Sequence, residues 1–156
     1  MTPDEFKAKL NLISTELSRS TGDLLLLGAK DLEGRMKRRI FNDGKNTAET
    51  KIGKYTSKYW TKKRSERGNQ TGFVDLEFTG DLRNSMQVVK DKNSIYFVII
   101  NDKDFEKSQG QELIQGKKKG QNKMEIFTPS KKERTGVQNY IADLIDEKID
   151  TIINKL

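Results

Sequence analysis

Two hydrophobic periods alternate along the chain, and the switches between them outline its elements. Phe6, Leu10, Ile13 and Leu17 recur at helical spacing behind the start signal Thr2-Pro3-Asp4-Glu5. Thr2 can cap there, Pro3 suits a first turn, and the two acids favour the positive end of the helix dipole. Ser18 to Gly22 is rich in helix-breaking residues and predicts an interruption. A second helix follows from about Asp23 to Phe41, with Leu25, Ala29, Leu32, Met36 and Ile40 on one face. The pattern does not decide whether the two helices merge. Asn42-Asp43-Gly44 ends the second, with Gly44 free to turn left-handed. From Phe73 to Phe78 the period becomes two, predicting a strand with Val74, Leu76 and Phe78 inward and Asp75 and Glu77 on the wet face. Met86 to Lys90 and Ser94 to Asn101 predict a hairpin turning at Asp91-Lys92-Asn93. Ile95 to Ile100 is apolar on both faces and is expected to be a central strand covered by helix on one side. Met124 to Phe127 reads as a short last strand stopped by Pro129. Val137, Ile141, Leu144, Ile145, Ile149, Ile152 and Leu156 then follow a 3.6 period, with Asp143, Asp146, Glu147 and Asp150 largely on the other side.

Two stretches lack a period. Lys45 to Thr71 predicts an extended, largely exposed basic arm, at about residues 45–71. Asp102 to Asn122 contains Gly110, Gly116, Gly120 and Lys117-Lys118-Lys119, and predicts a flexible loop at about 102–122, with a helical turn around Phe105. The expected architecture is one α+β domain over residues 1–156. It has two amino-terminal helices, a small antiparallel sheet of three to four strands with a hairpin, and a carboxy-terminal amphipathic helix.

Composition narrows the chemistry. Apolar residues make up 33% of the chain and charged ones 34%, so the core must be thin, and self-association would add burial. Cysteine and histidine are both absent, which excludes disulfides, thiolate metal sites and the commonest general base. No run is long enough to span a bilayer and no signal-peptide core is visible, so the expectation is a protein made in a cytoplasm, with no membrane contact. The net charge of +7 concentrates between Lys30 and Arg67, where 13 Lys or Arg stand against 5 Asp or Glu. Such a segment suits a polyanion or an acidic protein surface, or is simply a solvated basic face.

Catalytic templates fail one by one. A serine triad has no histidine, and a Ser-Lys pair cannot be distinguished in a chain so rich in both. Asp75 and Glu77 are explained by strand alternation before any two-carboxylate mechanism, and a nuclease built on Asp75, Glu77 and Lys90 lacks a third acid. Gly116-Lys117-Lys118-Lys119-Gly120 lacks the order of a phosphate loop. The expectation is therefore no enzyme, with no catalytic residue, cofactor or metal. What remains is contact chemistry. Tyr55, Tyr59 and Trp60, interleaved with Lys62, Lys63 and Arg64, either meet a partner or fold back on the helices. Lys117, Lys118 and Lys119 are candidates for touching phosphates or an acidic surface. Thr79, Gly80, Leu82 and Ser85 form a candidate structural joint. In it Gly80 allows a tight reversal, Thr79 or Asp81 caps, Leu82 plugs the core and Ser85 satisfies a nearby backbone group.

This succession resembles the tail-completion and neck (head–tail connector) proteins of tailed bacteriophages. The likeness rests on Arg38-Arg39-Ile40-Phe41 before a glycine turn, and on the arm Gly53-Lys54-Tyr55-Thr56-Ser57-Lys58-Tyr59-Trp60 with Lys63-Arg64. It rests above all on Val74-Asp75-Leu76-x-Phe78-Thr79-Gly80-x-Leu82-x-x-Ser85-Met86, similar to their Leu-x-x-Thr-Gly-x-Leu-x-x-Ser signature before a hairpin. A Gly-bearing loop ending at Pro129 and a terminal helix complete it. Thr128-Pro129-Ser130-Lys131-Lys132 departs from the Pro-x-Arg-x-Phe often found there. The resemblance implies a structural virion protein at the head–tail junction, made in a bacterial host. It implies a homo-oligomeric ring, sixfold or twelvefold, that touches portal, connector or tail proteins and contacts passing DNA without sequence preference. The alternative is a basic nucleic-acid-binding accessory protein.

Overall fold

One helix, α1 (Pro3–Lys37), opens the chain in the computed structural model, which describes residues 2–154 apart from positions 78 and 93. The expected interruption at Ser18 to Gly22 does not occur. The hydroxyls of Ser18, Ser20 and Thr21 each donate to the carbonyl four residues earlier, at 2.8, 2.8 and 3.0 Å, so they do not compete with the ladder. A capping box between Thr2 and Glu5 starts the helix. Packing along its second half then offsets the cost of Gly22, about 1 kcal/mol against alanine. The two expected helices are thus one, roughly 50 Å long at 1.5 Å per residue.

The end of α1 widens into a π turn, Arg38–Asn42, closed by the Asp43 amide on the Arg38 carbonyl at 3.0 Å. The wider turn directs three successive side chains, Arg39, Ile40 and Phe41, into the interior. Arg39 becomes a knot. Its Nε donates to Glu133 at 2.7 Å, and its terminal nitrogens donate to the carbonyls of Lys45, Ile126 and Thr128 at 2.9–3.1 Å. Gly44 follows with φ +59°; a Cβ there would stand 2.2 Å from the Phe73 ring.

The remaining elements are α2 (Lys58–Glu66), α3 (Asp81–Ser85), β1 (Met86–Asp91), β2 (Ser94–Ile99), α4 (Asp102–Lys118) and α5 (Lys131–Ile153). The fold is α+β and mostly helical. The sheet has two strands among the described residues, where three to four were expected. β1 and β2 pair antiparallel, Met86 opposite Ile99 through Asp91 opposite Ser94. β2 therefore has one strand neighbour, not two. The expected turn residue Asn93 lies outside the described residues, as do Phe78 and Leu156.

Both missing strands have a physical cause. In the 73–78 stretch Leu76 takes φ +56°, and Asp75 turns inward to a buried arginine. In the 124–127 stretch the amides of Ile126 and Phe127 donate to the Glu112 carboxylate at 2.9 and 3.1 Å. The Met124 amide donates to the Glu112 carbonyl at 2.9 Å. A helix side chain occupies the place of a strand partner. The expected loop at 102–122 is mainly α4, begun by Asn101, whose side chain accepts from the Lys103 and Asp104 amides at 3.0 and 3.3 Å.

Met36, Ile40, Phe41, Ile52, Val74, Leu82, Met86, Met124 and Ile126 form the core, and it sits where the end of α1, the arm, the hairpin and the 124–126 stretch converge. α5 begins there, with a capping box between Ser130 and Glu133, and returns along α1. At Gly28 the two helices touch closely: a Cβ there would stand 2.5 Å from Ile141 Cδ1. No helix of the described residues is long and apolar enough to cross a membrane.

Candidate partner-contact cleft

The basic arm is not an extended strap. Ser57 caps α2 by accepting from the Trp60 amide at 3.4 Å, and α2 carries Arg64 inward. Arg64 was a sequence candidate for partner contact; the structure makes it the arm's internal anchor. Its Nη2 reaches both oxygens of Asp75 at 2.7 and 2.8 Å. Nε donates to the Gln70 carbonyl at 3.0 Å and Nη1 to that of Glu77, while the guanidinium lies 4.4 Å from the centre of the Tyr55 ring. Asp75 also accepts from Tyr55 Oη at 2.8 Å, from Gln70 and from the Glu77 amide at 3.1 Å. Each side chain of this pair is about 95% buried, so neither charge could persist without such full engagement. The wet face expected for Asp75 is thus reversed. Glu77 pairs with Arg83 at 3.3 Å, and Lys90 lies 3.8 Å from Asp23, so Asp75, Glu77 and Lys90 have three separate partners.

The three rings of the arm divide. Tyr55 points inward; burial, and then its bond to Asp75, pushes its hydroxyl up to about 12. Tyr59 and Trp60 stay outside, 62% and 53% exposed, packed edge to face with centroids 5.1 Å apart. A cleft of about 300 Å³ opens beside Trp60, between the arm and α4. Val74, Leu76 and Tyr55 give it an apolar lining, Gln111 and Gln115 a polar one, and Lys54 and Lys118 stand at its rim. Two candidates far apart in sequence, the aromatic arm and the lysine triplet, therefore share one cleft through Trp60 and Lys118. Lys117 is exposed nearby, and Lys119 donates to the Lys51 carbonyl at 2.6 Å. Lys62 borders a separate, shallower depression, and Lys63 pairs with Glu66 at 3.2 Å. As lining of a cleft, Lys54, Leu76, Gln111 and Gln115 were not anticipated from the sequence. The spacing of the two glutamines, on a helix taken for a loop, was the one available signal.

The joint lies behind this cleft. Gly80 has φ +85° and itself occupies the position before α3, with no side-chain cap. Thr79 does not cap; its hydroxyl bonds the Asp81 carboxylate at 2.5 Å. Leu82 is in the core, and Ser85 donates to the Asp81 carbonyl at 2.8 Å and bonds the Asp104 carboxylate, which ties the joint to α4. Lys107, at 2.8 Å, and then Ser85 hold the Asp104 carboxyl below its ordinary value. Comparison of the chain with family models, with curated proteins and with solved structures finds no match.

Tyr55 gives the arm a testable alkaline limit. A folded value above the unfolded one stabilises the fold fully below about pH 10, and that contribution is lost as pH rises toward about 12. Urea midpoints of the native chain should therefore fall through this window more steeply than those of Tyr55→Phe. Equal slopes would mean that the hydroxyl is neither buried nor held by Asp75.

Proposed function

We propose that the chain is a structural virion protein of a tailed bacteriophage, a neck or tail-completion subunit that forms a ring at the head–tail junction. The observation that carries this reading is the joining of Trp60, Lys54 and Lys118 around one apolar-lined cleft, with Tyr59 packed on Trp60 and the buried Arg64–Asp75 pair beneath. Exposed aromatics flanked by lysines suit an acidic protein surface, where desolvated rings supply affinity and the charges steer approach. Support also comes from the Thr79-Gly80-x-Leu82-x-x-Ser85 joint, whose residues serve folding. The buried acids Asp75, Asp104, Glu112 and Glu133 are likewise each engaged by structural partners. The stoichiometry of the ring and its station between portal and tail belong to the proposal.

The test is location. Gold-labelled antibody against the chain should mark the junction of purified particles, and Trp60→Ala with Lys118→Glu should leave the chain folded while joined particles decline. Particles lacking the chain would overturn the reading. The same cleft favours one second reading, nucleic-acid contact by stacking on Trp60 with phosphates on Lys54 and Lys118. That reading requires steeply salt-dependent duplex binding that Lys54→Glu with Lys118→Glu abolishes. Arg64 is unsuitable for this test, because its loss would unfold the arm.

A further inference from the structure

α1 is longer than the helix that covers it. Ile141 packs at Gly28 and Arg35 packs at Gly136, so the two helices run antiparallel in a definite register. At 1.5 Å per residue, the buried Ile152 near the end of α5 comes level with roughly Leu17. The first turns of α1 extend beyond it. Phe6 and Leu10 lie there, 51% and 49% exposed, on the stripe that Ile13, Leu17, Leu24 and Gly28 continue toward α5. Among the described residues this stripe continues the seam that α5 covers farther along, and Lys7 and Lys9 flank it on either side.

α5 carries an apolar flank at the edge of that seam. Ile149, half-buried, and Ile153, 50% exposed, lie on it, and Asp146 and Asp150 stand on the same side of the helix, seven and three residues before Ile153. No ion pair among the described residues engages Lys7, Lys9, Asp146 or Asp150. One surface is apolar with basic flanks, the other apolar with acidic flanks, and both belong to this chain.

We infer that the amino-terminal overhang of α1 in one copy packs on the acid-bordered flank of α5 in a second copy. The inference rests on the reading of the chain as a ring subunit and names the contact between neighbours. The two surfaces differ, so the contact is head to tail, and repetition closes a ring when the rotation per subunit allows it. Phe6 and Leu10 supply the buried area, and the pairing of Lys7 and Lys9 with Asp146 and Asp150 sets the register.

The experiment measures the mass of the purified full-length chain against concentration, with circular dichroism as the control for folding. The native chain should assemble. Phe6→Ala with Leu10→Ala, Lys7→Glu with Lys9→Glu, and Asp146→Lys with Asp150→Lys should each raise the assembly midpoint about tenfold or more, with helicity unchanged. Combining the two charge reversals in one chain should restore the native midpoint. A native chain that stays monomeric at every concentration overturns the inference. Assembly indifferent to all three variants overturns it too, as does a combined variant that stays as weak as its parents. None of these outcomes depends on where the chain lies in a particle, so the ring contact and the proposed function fail separately.

Discussion

Where α5 sets Val137 and Ile141 against α1, α4 turns Asp104, Ser108, Glu112 and Gln115 into the protein and leaves Phe105, Leu113 and Ile114 about half exposed. Both are amphipathic in the geometric sense, with one buried stripe at helical spacing. They differ in what makes burial favourable. In α5 it is removal of apolar surface from water, which any apolar residue of suitable size supplies. In α4 it is the satisfaction of particular donors: Glu112 holds two backbone amides and Lys123, and Asp104 holds Ser85 and Lys107. A polar stripe of this kind is specific because its partners are, and it is costly to disturb because an orphaned buried group loses its water as well.

The sharpest challenge to this contrast is Glu112→Leu, which keeps bulk and removes the acceptor. It should cost about 3 kcal/mol in chemical denaturation, with Glu112→Gln well below that. A neutral Glu112→Leu would show that α4 is held by shape alone. Ile141→Ala, on the half-buried seam of α5, should cost less, about 1–2 kcal/mol, and Ile141→Leu almost nothing. Acid should then separate the helices. Asp104 is depressed in the folded state, so its contribution is present above the ordinary carboxyl range and is lost as pH falls below about 4. Asp104→Asn should flatten that acid limb of the stability curve, whereas Ile141→Ala should only shift it downward. Smallest of all, Gly110 lies inside α4 with nothing within 4 Å of a prospective Cβ. Gly110→Ala should stabilise by about 0.5–1 kcal/mol if Asp102–Lys118 is helical in solution, and by much less if the stretch is a loop.

The same distinction explains which parts of the molecule were legible beforehand. The hairpin, α5 and both ends of α1 carry signals that act through nearest neighbours: alternation, a 3.6 period, a capping threonine, a left-handed glycine. Helix α4 was missed because a hydrophobicity pattern registers apolar stripes, and its inner stripe is Asp104, Ser108, Glu112 and Gln115. The strand expected over 73–78 was lost to Arg64, which draws Asp75 inward from the neighbouring helix. At the candidate cleft, Trp60 and Lys118 were each picked out, yet nothing in their spacing joined them.

Local chemistry along the chain thus determined the α+β class, the absence of histidine and cysteine, the basic arm, the joint at Gly80 and the helices with apolar stripes. Tertiary structure alone decided that α1 runs unbroken, that Arg64 and Asp75 are buried together, that Glu112 replaces a strand partner and that the arm and α4 share one cleft. The reason is physical. Periodicity and capping are set within a few residues, whereas a buried charge is tolerable only beside partners that the folded chain brings from far along its length.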